Sequence, residues 1–504
     1  MRRAPTSSAA IVGLAVLLLG ATAAAPAFAV AASPPQHPSV RVAAATVTGP
    51  VTGGAGHPSL TTTSFDLATV GYTSTEYFVA GTAHSYTPTA PLKADGKWKV
   101  ASDATAAYKT RIVAYRPADA KRFNGTVVVE WFNQSAGFDS SPDWILAHNE
   151  LIRDGYAYVG VSAQQLGVSG GGALIGGLSG YGKPLTAADP DRYGSLVHPG
   201  DSFSYDIYSQ VGAALRNRTG TQPLGGLTPK TVIGVGESQS AFRMVTYVNA
   251  VQPRDRVYDG FLIHSRFGTG ADISQAPQPD VKTPAATRVR ADLGVPVLTL
   301  ETESDVVPLG FLPARQPDSK RFRLWEVAGT AHADAYTIGG IGDPGDGAAV
   351  AALLNTPSFG LACPVPVNSG PGFAIVSAAI VQLNRWIRTG TPPPTAARLA
   401  VANGAYVVDA HGNTRGGVRT PFVDVPTGTL SSGGQTSNLL CKLFGSTTRF
   451  DPATLASLYP THAAYVGRFT ASANQAVKAG FIRPDTARQL IAAAQQSDVG
   501  THAG

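Results

Sequence analysis

Charged residues are scarce in this sequence, and they are not grouped. Lys and Arg number 39 and Asp and Glu 33 among 504 residues, so only 14% of the chain is charged. No block of Lys or Arg occurs, which argues against the basic surface that binds nucleic acids. After the N-terminus, no segment offers the roughly 18 uninterrupted apolar residues of a membrane-spanning helix. We therefore expect neither a nucleic-acid partner nor a membrane span.

Patterns that bind metals or cofactors are also missing. No grouping of His, Cys and Asp has the spacing of metal ligands, and no Gly-rich loop follows the first core strand as a dinucleotide site requires. The sequence therefore predicts no metal and no cofactor. The only cysteines are Cys363 and Cys441. In an exported chain such a pair predicts one disulfide, with two separate buried thiols as the alternative.

The N-terminus has the pattern of a secretory signal peptide. Arg2 and Arg3 precede an apolar stretch from Ile11 to Leu19, and small residues follow at Ala27-Phe28-Ala29. This order of basic, apolar and small residues is typical of a segment that is removed on export. We expect residues 1–32 to be the signal, with cleavage after Ala29 or Ala32, and the mature protein to be secreted and soluble.

Apolar runs recur along the chain and are separated by segments with helical periodicity. Residues 76–81 and 108–115 alternate in the manner of antiparallel strands at the edge of a sheet. Near-continuous apolar runs, typical of strands covered on both faces, follow at 125–131, 156–161, 231–235, 260–264, 295–300 and 322–327. Helical segments near 144–154 and 205–216 lie between them. We predict an α/β fold with a mainly parallel, doubly wound sheet and antiparallel N-terminal edge strands.

The pattern changes beyond residue 340. A helix is predicted at 374–387, and three prolines at 392–394 mark a boundary. We predict a core at 33–390, with a loop-rich insertion at about 164–200. A C-terminal extension at 391–504 is expected to pack on this core and to contain a hairpin, a loop-rich tail and a helix near 485–495.

The sequence Gly236-Glu237-Ser238-Gln239-Ser240 lies between a predicted strand and a predicted helix. The pattern G-x-S-x-[GS] also occurs around Ser169 and Ser202, but both of these lie in turn-like or Gly-rich segments. After Ser238, the apolar residues 241, 244, 245 and 248 have the spacing of one buried helical face. A strand, a sharp turn and a helix are the context of a nucleophile elbow, so we predict Ser238 to be a nucleophile.

An acid and a base are predicted at the ends of two later strands, where reactive groups gather in an open α/β sheet. The strand ending at residue 300 leads to Glu303 and Asp305, and we favour Asp305 as the acid, with Glu303 as the alternative. The next strand leads to His332, which we predict to be the general base. The order Ser, acid, His on successive strand ends fits a catalytic triad.

Acyl transfer also requires N–H donors for the oxyanion that develops on the carbonyl oxygen. Gln239, at the start of the helix, is one candidate, and Asn133 or Gln134, in the loop after the first core strand, is the other. We expect Trp131 and Phe132 to shape the substrate pocket together with the 164–200 region. We interpret His148, His264 and Trp144 as packing residues.

With these residues the sequence resembles the α/β-hydrolase superfamily, and in particular a group of secreted bacterial "alpha/beta hydrolase domain" proteins. The similarity extends over roughly residues 45–470 and is carried by short stretches at 127–133, 158–164, 198–201, 236–240, 328–332, 415–421 and 441–445. It implies a serine hydrolase with Ser238, His332 and Asp305 or Glu303 in the three roles. Ser240 departs from the superfamily pattern, which usually has Gly there.

We expect the protein to cleave a small carboxylic ester through an acyl-enzyme. An acyltransferase or peptidase with the same triad is one alternative. A non-catalytic binding protein that keeps the fold is another.

Overall fold

The computed structural model describes residues 40–176, 182–355 and 361–501, together with Met1. The predicted export signal at 1–32 thus falls, apart from Met1, outside the described residues. Every described helix and strand belongs to one compact unit, residues 38–504.

Thirteen strands occur in the described part of the chain, and nine of them form one sheet. These nine are β1 Thr46–Thr48, β2 Tyr72–Pro88, β3 Val100–Pro117, β4 Thr126–Trp131, β5 Ala157–Val161, β6 Thr231–Glu237, β7 Gly260–His264, β8 Val297–Glu301 and β9 Phe322–Glu326. Two small hairpins follow: β10 Val401–Ala402 with β11 Ala405–Tyr406, and β12 Gly428–Ser431 with β13 Ser446–Arg449.

Sixteen α-helical segments are described. They are α1 Pro142–Arg153, α2 Gln165–Ser169, α3 Leu185–Ala188, α4 Pro190–Tyr193, α5 Ser204–Arg216, α6 Gln239–Thr246, α7 Gln252–Asp255, α8 Glu303–Val306, α9 Ala335–Gly339, α10 Ala348–Asn355, α11 Gly372–Thr389, α12 Pro421–Asp424, α13 Leu439–Leu443, α14 Pro452–Leu458, α15 His462–Ala479 and α16 Pro484–Gln495. A π-helical turn, Tyr247–Val251, connects α6 to α7.

The strand order of the large sheet is β1-β2-β3-β5-β4-β6-β7-β8-β9. The first three strands and the β3–β5 pair are antiparallel, whereas β5, β4, β6, β7, β8 and β9 are parallel neighbours. The predicted α/β architecture, with a mainly parallel sheet and antiparallel N-terminal edge strands, is confirmed. Because β6, β8 and β9 run in the same direction, the segments that follow them leave the sheet at one edge.

Two segments differ from the expected pattern. The connection between β7 and β8, residues 265–296, contains no helix, although a doubly wound sheet usually has one there. In the C-terminal region the tail is more helical than predicted, because α15 runs for 18 residues. Its buried face, Tyr465, Phe469, Ala473 and Ala476, has helical spacing, but half of it is alanine and so gives a weak apolar signal.

A buried ion-pair network ties the edge strands to the loop after β4. Arg111, on β3, is fully buried and donates to Glu76 at 2.9 Å and to Asp139 at 2.7 Å. Arg192 pairs with the second oxygen of Glu76 at 2.6 Å. A buried charge is tolerated only when it is paired and hydrogen-bonded, and both carboxylates meet that condition. The network therefore fixes the loop at 133–140 against the sheet.

Cys363 and Cys441 form a disulfide that joins the segment before α11 to α13. The two residues are 78 positions apart in the sequence. Among the described helices, none has both the length and the apolar character that crossing a bilayer requires.

Candidate active site

Ser238 occupies the sharp turn between β6 and α6. Its backbone has φ 57° and ψ −118°, a conformation that non-glycine residues rarely adopt. The turn is held on both sides: the Ser238 N–H donates to the His264 carbonyl, and the Phe242 N–H donates to the Ser238 carbonyl. Strain at this position indicates that the surrounding structure imposes the turn.

The turn is crowded, and the crowding explains the residues beside Ser238. A Cβ atom on Gly236 would lie 2.9 Å from Met244 Cγ and 3.0 Å from the Ser240 carbonyl carbon, so no side chain fits there. Ser240 is fully buried, and its hydroxyl donates to the Phe132 carbonyl at 3.0 Å. A serine at this position is therefore accommodated, and it connects the elbow to the loop after β4.

Three side chains form one continuous hydrogen-bonded chain. The Ser238 hydroxyl donates to His332 Nε2 at 2.6 Å, and His332 Nδ1 donates to Asp305 Oδ1 at 2.6 Å. The other Asp305 oxygen accepts from the Thr302 N–H at 2.6 Å and from its hydroxyl at 2.7 Å. Asp305 is thus fixed by its own turn, so it holds the imidazole in one orientation and one tautomer.

Glu303, the alternative acid, points elsewhere. Its carboxylate accepts the Gly329 N–H at 2.6 Å, in the loop that leads from β9 to His332. Burial raises the pKa of Glu303 to about 7, and the Gly329 bond opposes that shift. The structure therefore pairs Asp305 with His332 and uses Glu303 to shape the loop that carries His332.

Two other serines share the pentapeptide pattern, and neither has such partners. The Ser169 hydroxyl lies at the end of α2 and donates to the Gln165 carbonyl. Ser202 is buried in a 3₁₀ turn, Asp201–Phe203, and its hydroxyl donates to the Gln275 carbonyl.

A second carboxyl group faces the imidazole. Glu237 Oε1 lies 3.5 Å from His332 Nε2, and Glu237 Oε2 accepts from Asn133 Nδ2 at 3.0 Å. Burial raises the pKa of Glu237 to about 7, while the charges of His332 and His264 lower it. Burial also disfavours the charged form of His332, but the charge and hydrogen bond of Asp305, together with Glu237, outweigh this effect and raise the imidazole pKa.

Glu237 and Asp143 were not singled out from the sequence. His264, interpreted as a packing residue, forms a buried pair with Asp143 at 2.8 Å and aligns with Glu237 on the neighbouring strand. Glu237 does have a signal, because it is a carboxylate inside the pentapeptide at the end of a fully buried strand. A charged residue that is buried at such a position requires hydrogen-bond or ion-pair partners. The sequence analysis could therefore have looked for polar residues that pair with Glu237.

The candidate oxyanion donors differ in their availability. The Asn133 N–H donates to the Ser140 carbonyl at 3.0 Å, so it is already engaged. The Gln134 side chain is occupied by Asp139 and Gly167, but the Gln134 N–H has no hydrogen-bond acceptor within the described ranges. The same holds for the N–H of Gln239, the first residue of α6. Gln239 and Gln134 therefore keep free backbone donors, whereas Asn133 supports Glu237.

Ser238, His332 and Glu237 line one cavity of about 270 Å³. Its polar wall also includes Thr61, Asn133, Ser135, Ser140 and Thr337, and the remaining lining residues are apolar: Ala136, Phe138, Pro142, Ile145, Leu146, Ile175, Ala333, Ile338, Ile341, Leu361, Leu440, Leu443 and Phe444. Within the described chain, no group of three or more His, Cys, Asp or Glu residues could hold a metal ion.

Trp131 and Phe132 do not line this cavity, which differs from the expectation. Both are fully buried in the main core. Trp131 packs on Tyr208 and donates to Gln164, and the Phe132 ring fills the space that a side chain on Gly160 would occupy. The side chains of apolar residues at the end of a buried strand can point to either face of the sheet, and here both side chains pack in the core.

Known proteins resemble the chain to different extents. A family model described as "Alpha/beta hydrolase domain" matches residues 47–492. No curated protein matches the chain. Solved structures with partial similarity include a "Putative Dienelactone Hydrolase" from Klebsiella pneumoniae subsp. pneumoniae MGH 78578, with 13% identity, 51% of this chain and 89% of that chain covered, and a TM-score of 0.26. Another, described as an arylesterase, has 10% identity, covers 44% of this chain and 72% of that chain, and has a TM-score of 0.24.

Replacing Glu237 by Gln should lower the pKa of His332. The substitution keeps the size of the side chain but removes a carboxylate whose oxygen lies 3.5 Å from Nε2. Since a nearby negative charge favours the protonated imidazole, its loss should shift the pKa downward. Titration of the histidine ring resonances by NMR measures this directly.

Glu303→Gln is the matched control, because Glu303 is also buried and also has a pKa near 7, but it binds the Gly329 N–H instead of facing the imidazole. It should leave the His332 pKa unchanged. Equal shifts in both variants would contradict a specific effect of Glu237.

Proposed function

The chain belongs to the alpha/beta hydrolase domain family, and on that premise we propose that it is an exported serine hydrolase that cleaves carboxylic esters. The observation that carries this proposal is the hydrogen-bonded chain from Ser238 through His332 to Asp305. In this proposal Ser238 is the nucleophile, His332 the general base and Asp305 the acid that orients it.

The geometry supports a two-step reaction. As the Ser238 oxygen attacks the ester carbonyl, its proton moves to His332 Nε2, 2.6 Å away. The imidazolium that forms is stabilised by Asp305, and it then protonates the departing alcohol. Water enters, His332 removes one of its protons, and attack on the acyl-enzyme releases the acid and restores the Ser238 hydroxyl.

The oxyanion needs donors that are in place before the reaction. We assign this role to the backbone N–H groups of Gln239 and Gln134, which have no acceptor among the described residues. A single donor of this type contributes about 3 kcal/mol of transition-state stabilisation. Gln239 also lies at the N-terminus of α6, where the helix dipole favours negative charge.

We also propose export and the domain division predicted above. Residues 1–32 would be the signal, residues 33–390 the hydrolase core and residues 391–504 an extension packed on it. The disulfide supports export, since such bonds persist in oxidising compartments. The extension supplies Leu440, Leu443 and Phe444 to the cavity wall. This supports one functional unit formed by the core and the extension, rather than a separate C-terminal module.

A fluorophosphonate probe should label Ser238. The probe reacts with serine hydroxyls that a general base activates, and His332 supplies that base. Ser238→Ala should abolish labelling and lower ester turnover by roughly 10⁶-fold. Peptide mapping of the labelled protein identifies the modified serine.

Ser169→Ala is the control for this experiment, because Ser169 has the same sequence pattern but, among the described residues, its hydroxyl binds the carbonyl of Gln165 in its own helix. It should be labelled like the unmodified protein. A probe that does not react, or that labels Ser238→Ala equally, would overturn the proposed function.

Asp305→Asn should cost far more activity than Glu303→Gln. An amide at 305 can no longer stabilise the imidazolium, and similar changes lower kcat by about 10⁴-fold. Glu303→Gln keeps an acceptor for the Gly329 N–H and should retain most of the activity. Steady-state kinetics on a soluble ester measures both, and a larger loss in Glu303→Gln would reverse the assignment of the acid.

Export predicts a shortened N-terminus. Protein recovered from the culture medium should begin at residue 30 or 33, because cleavage after Ala29 or Ala32 fits the small-residue rule. Intact-mass measurement distinguishes these two sites, and a full-length intracellular product would contradict export.

A further inference from the structure

The cavity beside Ser238 carries almost no charge. Among the described residues that line it, there is no Lys or Arg, and the only carboxyl group is that of Glu237. An anionic substituent would find no Lys or Arg there, and His332 has to be neutral to act as the proposed base. The anion would therefore lose its hydration without gaining a cationic partner, which is costly in an apolar environment. The lining therefore suits an uncharged group.

The size of the cavity sets an upper limit. Its volume is about 270 Å³, and an apolar cavity of about 150 Å³ in another protein accommodates benzene, which has six non-hydrogen atoms. By proportion, the cavity holds an apolar group of roughly ten non-hydrogen atoms. Longer groups would exceed the volume of the cavity.

The wall consists partly of two segments that the disulfide joins. Leu361 lies two residues before Cys363, and Leu440 is adjacent to Cys441 on α13. Leu443 and Phe444 have a second anchor, since their carbonyls accept the N–H groups of Ala333 and Asn368. Leu361 and Leu440 thus depend most directly on the disulfide for their position.

We propose that this site takes uncharged esters with one apolar group of up to roughly ten non-hydrogen atoms, and that the wall held by the Cys363–Cys441 disulfide sets this limit. The inference rests on the proposed ester hydrolysis. It adds a substrate class and assigns the disulfide a role in specificity.

Two series of esters test the size limit. In one the acyl chain grows on a fixed alcohol, and in the other the alcohol grows on acetate. In the series whose growing group enters the cavity, kcat/KM should rise by about fourfold per methylene, as burial of a methylene predicts. It should fall once the group exceeds roughly ten non-hydrogen atoms. A flat or continuously rising profile in both series would overturn the inference.

A charged analogue tests the chemical class. The charge is placed on the group that shows the size limit. For the acyl group, the monoester of succinate is compared with the pentanoate ester of the same alcohol; for the alcohol group, the acetate ester of 4-hydroxybutanoate is compared with pentyl acetate. The members of each pair are similar in size but differ by one negative charge. The charged ester of the pair should react at least about 100-fold more slowly, because its carboxylate meets no Lys or Arg in the cavity. Equal rates would overturn the assignment to uncharged esters.

Variants of the wall test the role of α13. Leu440→Ala enlarges the cavity and should move the optimum to a longer group. Leu439→Ala is the matched control, because Leu439 lies on the same helix but is 51% exposed and does not line the cavity. It should leave the optimum in place, and an equal shift in both variants would contradict the proposal.

Removing the disulfide tests the wall as a whole. In the double variant Cys363→Ser and Cys441→Ser, the fall in kcat/KM beyond the optimum should become shallower. If that variant does not fold, Leu361→Ala, which keeps the disulfide, should still move the optimum as Leu440→Ala does. An unchanged profile in these variants would overturn the role of the wall.

Labelling with the fluorophosphonate probe distinguishes a failure of the substrate assignment from a failure of the proposed hydrolase activity. Loss of size or charge selectivity while Ser238 is still labelled would refute only this inference. Absence of labelling at Ser238 would refute the proposed hydrolase itself.

Discussion

The close crossing of β6 and α6 is the constraint on which the rest of the site depends. The strand and the helix approach so tightly that position 236 admits no side chain, and the chain turns through a left-handed conformation at Ser238. This turn directs the hydroxyl toward the sheet edge where β8 and β9 also end. Asp305 and His332 reach Ser238 because the loops after those two strands begin at the same edge. The parallel sheet thus brings the three loops to one edge, and the turn between β6 and α6 orients the Ser238 hydroxyl toward that edge.

Several acidic side chains near this edge have different environments and therefore different roles. Asp305 is tied by Thr302 and paired with the imidazole. Glu303 binds a backbone N–H in the loop that carries His332, and Glu237 lies beside Nε2 with a pKa near 7. Residue type alone does not separate these carboxyl groups. The separation comes from the partners of each group: Asp305 binds Nδ1 of His332, Glu237 lies near Nε2, and Glu303 binds a backbone N–H.

Much of the fold and part of the site follow from the sequence. Near-continuous apolar runs predicted the six parallel strands, and the flanks of the pentapeptide distinguished Ser238 from Ser169 and Ser202. The direction of side chains at strand ends could not be predicted, so Trp131 and Phe132 were expected in a pocket but lie in the core. The alanine-rich α15 was missed because small residues give little periodic contrast. The pairing of His264 with Asp143 was also missed, since it joins residues 121 positions apart.

The backbone conformation at Ser238 also affects which substitutions could be selected at this position during evolution. A non-glycine residue held at φ 57° stores strain that glycine would relieve. Substitution by glycine at this position would therefore favour the folded state while removing the hydroxyl. In the proposed hydrolase, selection for thermal stability alone would thus lead away from serine here, and only selection for the proposed reaction would keep it. At position 238, stability of the fold favours glycine, whereas the proposed reaction requires serine.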